Sequence, residues 1–482
     1  MPRLALVLCL ATAAGGLPLR AQVSAHPRVR EAAALLERWL DAERAYKRIP
    51  GLSAAVVHDQ EVVWSGGSGY ADLAARRPAT PATIYSICSI SKLFTSVALM
   101  QLRDQGKVRL DDPVARHLPW FAIKRTNPES GEITLEGLLT HASGLPRESA
   151  HPYWSPPDYR FPSRDQIIAS LPGQETLYPA ETFFQYSNLG ITLAGEVVAA
   201  GSGRPFADYV RAAILEPLGM TSTTPDMPEA ERGRRLATGY GPWAREGERA
   251  SLPFFRVEGI APAAGFASSA EDLARFASWQ FRLLRKGGTE ILAANTLREM
   301  HRVHWVDPEF ETTWGLGFVV WRDAQKTFVG HDGACPGYRT SLLLRPPERI
   351  AAIAMTNAID ANANELTQRA YDIVAPAIKA ATADSGPQPK PADPALERYL
   401  GAYESGWRGE TLVLLWEGGL ASVGLPAANP VAGITKLRKT GDHTFRRVRR
   451  DGDLAEVWTF ELGPDGRADR LRINYNVSRR VR

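Results

Sequence analysis

Two blocks of strand-forming sequence, one near each end of a long segment, constrain the fold more than any other feature. The first, SAAVVHDQEVVWSGGSGYAD (Ser53 to Asp72), reads as a β-hairpin turning near Asp59 and Gln60. The second is a set of three apolar runs, GLGFVVW, SLLLR and IAAIAMTN, between Gly315 and Asn357. Ahead of the hairpin, Val29, Ala32, Leu36, Trp39 and Leu40 share one face of an amphipathic helix that Pro50 and Gly51 end. Behind the three runs, a helical pattern covers Ala363 to Ala380. The stretch between the blocks is mostly helical and loop-rich. Leu93, Phe94, Val97 and Met100 repeat at three and four from Ser89 to Gln105, where Gly106 stops them. SSAEDLARFASWQF opens on a capping box, Ser269 to Asp272. The order predicts an α+β fold. An antiparallel sheet is assembled from both ends of the segment, with helices on its faces and a largely helical insert.

The 482 residues are too many for one compact unit, and two domains are expected. TADSGPQPKPADP (382–394) is a linker by composition. The larger segment 26–381 precedes it. The tail 395–482, with strand-like TLVLLW, EVWTFEL and RLRINYN and a GPDG turn, reads as a small all-β domain. Residues 1–25 read as an export signal: Arg3, an apolar core from Leu4 to Ala14, then small residues, with cleavage after Ala21 or Ala25. That core is short for a bilayer span, so a periplasmic or secreted protein without stable membrane insertion is expected. A net charge of +4, thinly spread, argues against a nucleic-acid binder, and FRRVRR (445–450) reads as a solvated strand face. Outside the signal only Cys88 and Cys335 remain, too few for a disulfide framework. An oxidising compartment would permit a bridge between them. Two independent thiols are the expectation, since sequence carries no distance.

The stretch YSICSISKLF (85–94) holds Ser86, Cys88, Ser89 and Ser91 ahead of Lys92. On a helix, side chains three or four apart share a face. Lys92 therefore addresses Ser89 or Cys88, and not Ser91. The helix start adds a positive field and backbone N–H groups useful to a developing oxyanion, and a buried lysine can act as a base. Ser-x-x-Lys alone is weak, since it arises by chance about once or twice in a chain this long.

Two further matches raise its weight. Tyr186-Ser187-Asn188 contains the only one of fourteen tyrosines followed two residues on by Asn, and His331-Asp332-Gly333 is the only His-x-Gly among nine histidines. Ser-x-x-Lys, Tyr-x-Asn and Lys- or His-x-Gly in this order resemble the serine β-lactamase and penicillin-binding protein family. The closest branch holds class C β-lactamases, D-alanyl-D-alanine carboxypeptidases, D-aminopeptidases and esterases. LDDPVARHLPWF, ITLEGLLTHASGLP and GFASSAEDLARF also look like this family, and the resemblance covers about residues 45 to 380. It implies an exported serine hydrolase in which Ser89 forms an acyl-enzyme on a peptide, amide or ester, a cell-wall-derived peptide among them. Lys92 and Tyr186 would share the proton work. Backbone N–H groups of Ser89 and Ala334 would form the oxyanion hole, Asn188 would bind a substrate amide, and Gly333 would let substrate lie along the strand. His331 would stand where relatives carry lysine. No cofactor or metal is implied. A β-lactamase proper and a silent cell-wall-binding protein of the same fold are the rival readings. His141 reads as part of a structural turn, His301 and His304 as surface residues without a third metal ligand, and Lys439-Thr440-Gly441, beyond the linker, as a coincidental triplet.

Overall fold

The computed structural model describes residues 22–151, 153–383, 392–406 and 409–481. The export-signal core and most of the linker lie outside these residues. Helix α1 (Pro27–Tyr46) precedes the hairpin of β1 (Gly51–His58) and β2 (Glu61–Asp72). A short β3 (Arg77–Pro78) follows, then α2 (Ser91–Asp104), α3 (Leu135–Thr140), α4 (Asn188–Ser202) and α5 (Ala270–Lys286). The chain returns through β4 (Trp305–Val306), β5 (Thr313–Trp314), β6 (Val319–Asp323), β7 (Lys326–Cys335), β8 (Tyr338–Arg345) and β9 (Ile350–Thr356) to α6 (Ala363–Thr382). These nine strands form one sheet in the order β3-β2-β1-β9-β8-β7-β6-β5-β4. Its centre is the antiparallel seam of β1 on β9, with Ala54 opposite Ala354, so the two ends of the segment meet as expected. The first of the three apolar runs starts later than the sequence suggests: β6 begins at Val319. The GLG ahead of it is a turn in which Gly317 takes φ +79° over the Ser96 side chain.

The period-two pattern of the central strands divides two cores. Ala54, Val56, Leu343, Ala352 and Ala354 face α1 and α6. Ala55, Val57, Leu342, Leu344 and Ile353 face the helical side, where Phe94 stacks on Phe266 with ring centroids 5.0 Å apart. The seam between hairpin and return strands is tied by Asn357. Its Oδ1 accepts from the Gly51 N–H at 2.7 Å, and its Nδ2 lies 3.0–3.2 Å from the carbonyls of Tyr70, Ala71 and Thr238.

The C-terminal part is a closed barrel of eight strands. They are β10 (Gly401–Glu404), β11 (Glu410–Trp416), β12 (Gly419–Leu425), β13 (Thr435–Gly441), β14 (Thr444–Val448), β15 (Leu454–Leu462), β16 (Ala468–Ile473) and β17 (Asn476–Arg480). Pairing of Tyr403 with Arg480 closes it. Val413, Leu420, Phe445, Trp458 and Phe460 fill the interior. Their neighbours Leu412, Leu414, Val423 and Leu425 point outward and join the core of α1 and α6. Trp39 Nε1 donates to the Ala427 carbonyl at 2.8 Å, and Glu31 accepts the N–H groups of Glu417 and Gly418. The barrel thus docks on α1 and α6, the helices that cover the sheet face opposite the helical insert. Lys439 and Thr440 are exposed on β13 of this barrel.

Candidate active site

The stretch YSICSISKLF resolves by burial. Ser86, Cys88, Ser91 and Lys92 are fully buried, whereas Ser89 is partly exposed. Each buried candidate has structural work. The Ser91 hydroxyl donates to the Cys88 carbonyl at 2.5 Å and accepts the Phe266 N–H at 2.9 Å. The Ser86 hydroxyl sits 3.3 Å from Cys335 Sγ. Cys88 and Cys335 form a disulfide with their Cα atoms 5.8 Å apart, which corrects the expectation of two independent thiols. The 247-residue separation hid a contact made only when β7 packs on the turn before α2.

Lys92, on the first turn of α2, points Nζ back over Ser89. It donates to Ser89 Oγ at 3.2 Å, to Asn188 Oδ1 at 2.7 Å and to the Ala263 carbonyl at 2.9 Å. Burial brings its ammonium down from the usual range to about 7, although the Glu148 carboxylate opposes this. Tyr186 lies beside it, half-buried, with its ring 4.7 Å from Lys92 Nζ and the Arg147 guanidinium 4.8 Å from the ring. Burial pushes the Tyr186 phenol well above its usual value, partly offset by a hydrogen bond with Ser89. The two proton carriers flanking Ser89 therefore differ: near neutrality Lys92 can be uncharged, whereas Tyr186 keeps its proton.

Tyr186-Ser187-Asn188 lies at the start of α4, and the middle residue explains the local structure. Ser187 caps the helix by accepting the Gly190 N–H at 2.8 Å. It also donates its hydroxyl to the Pro146 carbonyl at 2.7 Å and its N–H to His141 Nδ1 at 3.1 Å. His141 ends α3 in the left-handed region, φ +60°, with its ring centroid 4.4 Å from that of Tyr186. Burial holds its imidazole far below the usual value, so it is a neutral packing partner that orients Tyr186. The turn assignment stands for its backbone; its role as a support for the tyrosine was not legible in the sequence.

Asn188 opens α4 with its amide between two charged groups. Its Oδ1 accepts from Lys92 Nζ at 2.7 Å, and its Nδ2 donates to Glu148 Oε1 at 2.6 Å. These contacts orient Lys92. Glu148, which also accepts from Trp154 Nε1 at 3.1 Å, completes the chain. Burial raises its carboxyl above the usual range. Nothing in the sequence marked it, because it is a lone acidic residue in a loop.

On β7, His331 shares the helical face of the sheet, opposite Leu342. Its ring centroid lies 6.4 Å from that of Tyr186 and 5.5 Å from that of Trp314. Nδ1 is 2.6 Å from the Asp332 carbonyl and Nε2 is buried without a partner. Burial drops this imidazole to about 4, with Asp332 opposing. At Gly333 a Cβ would stand 2.2 Å from the Ile87 carbonyl and 2.4 Å from Thr340 Oγ1, so the missing side chain admits the turn carrying Ser89. Ala334, next along, is exposed. His301 is half-buried and meets Gln280 Oε1 at 3.0 Å, while His304 meets Glu136 Oε1 at 2.9 Å. Among the described residues no His, Cys, Asp and Glu cluster could hold a metal ion.

A seryl hydroxyl served by a buried lysine and a protonated tyrosine, at the junction of a helical insert and an antiparallel sheet, is the arrangement of a serine acyl hydrolase. Residues 36–376 match the Beta-lactamase family model, and the chain belongs to that family. It is 28% identical over 347 residues to Beta-lactamase-like protein 2 of Dictyostelium discoideum, covering 71% of this chain and 62% of that one. The chain thus spans less than two thirds of that relative. Its fold is similar to the octameric penicillin-binding protein homologue from Pyrococcus abyssi, with TM-score 0.62 and 23% identity over 92% of this chain and 99% of that one. That likeness extends into the C-terminal barrel. EstCE1, a hydrolase with promiscuous acyltransferase activity, gives TM-score 0.60 and 23% identity over 72% of this chain and 99% of that one.

Proposed function

We propose that the protein is an exported hydrolase of uncharged esters, amides or short peptides, working through an acyl-enzyme on Ser89. The carrying observation is Lys92, wholly buried, brought to about 7 and 3.2 Å from Ser89 Oγ. Neutral Lys92 takes the seryl proton as Oγ attacks the carbonyl carbon, and Asn188 and the Ala263 carbonyl keep its Nζ aimed. Tyr186, protonated, relays a proton to the leaving oxygen or nitrogen. Water then attacks the acyl-enzyme by the reverse route, releasing acid and Ser89. The N–H groups of Ser89 and Ala334 take the oxyanion. The complete Ser89, Lys92 and Tyr186 set counts against a silent binding protein.

The substrate preference follows from His331. A neutral, buried imidazole of about 4 replaces the permanent cation that would hold a substrate carboxylate. The β-lactamase reading draws its support from Arg147, a half-exposed cation over Tyr186. Fluorophosphonate labelling, with the adduct mapped by mass spectrometry, tests the nucleophile; an adduct on any residue but Ser89 overturns it. Comparing kcat/KM for nitrocefin and p-nitrophenyl acetate tests the substrate class. Faster nitrocefin turnover promotes the β-lactamase reading.

Export is supported by the Cys88–Cys335 bond, since such bonds persist in oxidising compartments. Cleavage after Ala21 fits better than after Ala25, because the Val23 and Ser24 N–H groups each donate to the Glu61 carboxylate at 2.9 Å. We place the hydrolase domain at 26–381 and the β-rich domain at 395–482, with 382–394 as the linker. Among the described residues no helix is long and apolar enough to cross a membrane.

A further inference from the structure

The disulfide joins the two elements that the acyl-enzyme reading needs held together. Cys88 immediately precedes Ser89, and Cys335 immediately follows Ala334. The N–H groups of Ser89 and Ala334 are those assigned to the oxyanion. One lies on the turn before α2, in the helical insert; the other lies at the end of β7, in the sheet. Such a pair acts only when both donors stand about 3 Å from one oxygen position, so their separation matters to tenths of an ångström.

Among the described residues, few hydrogen bonds cross this junction. Thr340 Oγ1 donates to the Ile87 carbonyl at 3.2 Å, and the Ser86 hydroxyl bridges toward both sulfurs at 3.3 and 3.6 Å. Cys88 holds φ +47°, a conformation that L residues avoid, so the turn carrying Ser89 is not one that the chain adopts by preference. Both cysteines are buried, which slows attack on the bond by small thiols.

We propose that the Cys88–Cys335 disulfide is a positioning element of the oxyanion hole, fixing the Ser89 and Ala334 N–H groups at a common distance from the developing oxyanion. The proposal rests on the acyl-enzyme reading of Ser89. Losing one oxyanion donor outright costs on the order of 10²–10³ in rate. Slackening the pair should cost less, about ten- to a hundredfold in kcat/KM.

The test uses a p-nitrophenyl ester and its thionoester, in which sulfur replaces the carbonyl oxygen. The larger, weaker acceptor gains little from such a hole, so the ratio of the two kcat/KM values reports the hole itself. The ratio is measured for wild type and for the Cys88→Ala/Cys335→Ala double variant, below their melting temperatures and per site titrated with fluorophosphonate. A second arm takes folded wild type reduced with a water-soluble phosphine. The phosphine becomes its oxide using the oxygen of one water and leaves two thiols, counted by alkylation and mass. The proposal expects the oxoester rate to fall about tenfold or more, the thionoester rate to change little and the ratio to collapse. An unchanged ratio in the folded double variant, or in the reduced wild type should that variant not fold, overturns it. So does an equal loss on both esters, which would mean a general loosening. Wild type inert to both esters and to the fluorophosphonate would instead overturn the acyl-enzyme reading, and the positioning role with it.

Discussion

Lys92 sets the pH behaviour, because it must be neutral to accept the Ser89 proton. Its burial lowers the ammonium to about 7, so the reactive form grows as pH rises. We expect kcat/KM for p-nitrophenyl acetate, corrected for buffer hydrolysis, to climb through about pH 7 and level above it. A rate that falls across that range would assign the base elsewhere. Lys92→Ala should lower turnover by about 10²–10⁴. Ser89→Ala should abolish labelling while leaving the circular dichroism unchanged, since it removes one partly exposed oxygen. At His331 the prediction concerns preference. His331→Lys restores a cation beside Tyr186 and should raise nitrocefin kcat/KM relative to that for the ester. No gain would mean that position 331 does not govern carboxylate recognition.

At the scale of elements, the turn before α2 and strand β7 must approach more closely than side chains allow. Gly333→Ala would drive a Cβ into the Ile87 carbonyl, 2.2 Å away. Backbone on both sides resists, so the turn carrying Ser89 must move. Turnover should drop at least tenfold and thermal stability should fall together, read by ester kinetics and calorimetry on the same sample. Asn357 performs the equivalent task at the seam of β1 and β9. Asn357→Ala leaves the buried Gly51 N–H without its side-chain acceptor, at a cost of about 1–3 kcal/mol in urea unfolding.

The whole molecule is joined by shared apolar surface. Leu412, Leu414, Val423 and Leu425 of the barrel lie in one core with Trp39, Ile373 and Val374 of α1 and α6. A chain ending at Ala383 should therefore melt several degrees lower, because those helices lose their cover. It should still label at Ser89 in the cold, since the barrel sits on the other face of the sheet. An unchanged melting temperature would show the docking to be energetically idle. A folded but unlabelled truncation would show that the barrel shapes the site.

The sequence by itself determined the elements and their order wherever the pattern is local. The heptad-like face of α1, the turn at Asp59 and Gln60, the cap at Ser269 and the helix over Ala363–Thr382 all follow from side chains a few residues apart. So did the proximity of Ser89 and Lys92, because three residues on a helix is a fixed geometry. Barrel closure was not legible beyond three strand-like runs. β13 and β14 are short and charged, and closure depends on Tyr403 meeting Arg480 from the far end of the tail. Only the tertiary structure decided which serine reaches solvent, that Cys88 bonds Cys335, that Asn188 meets Lys92 and Glu148 while Gly333 meets Ile87, and that Glu148 and His141 stand behind the site. Protonation belongs to the same group. Lys92 and His331 owe their lowered values first to burial, and burial is set by chain segments that meet only when the sheet closes from both ends.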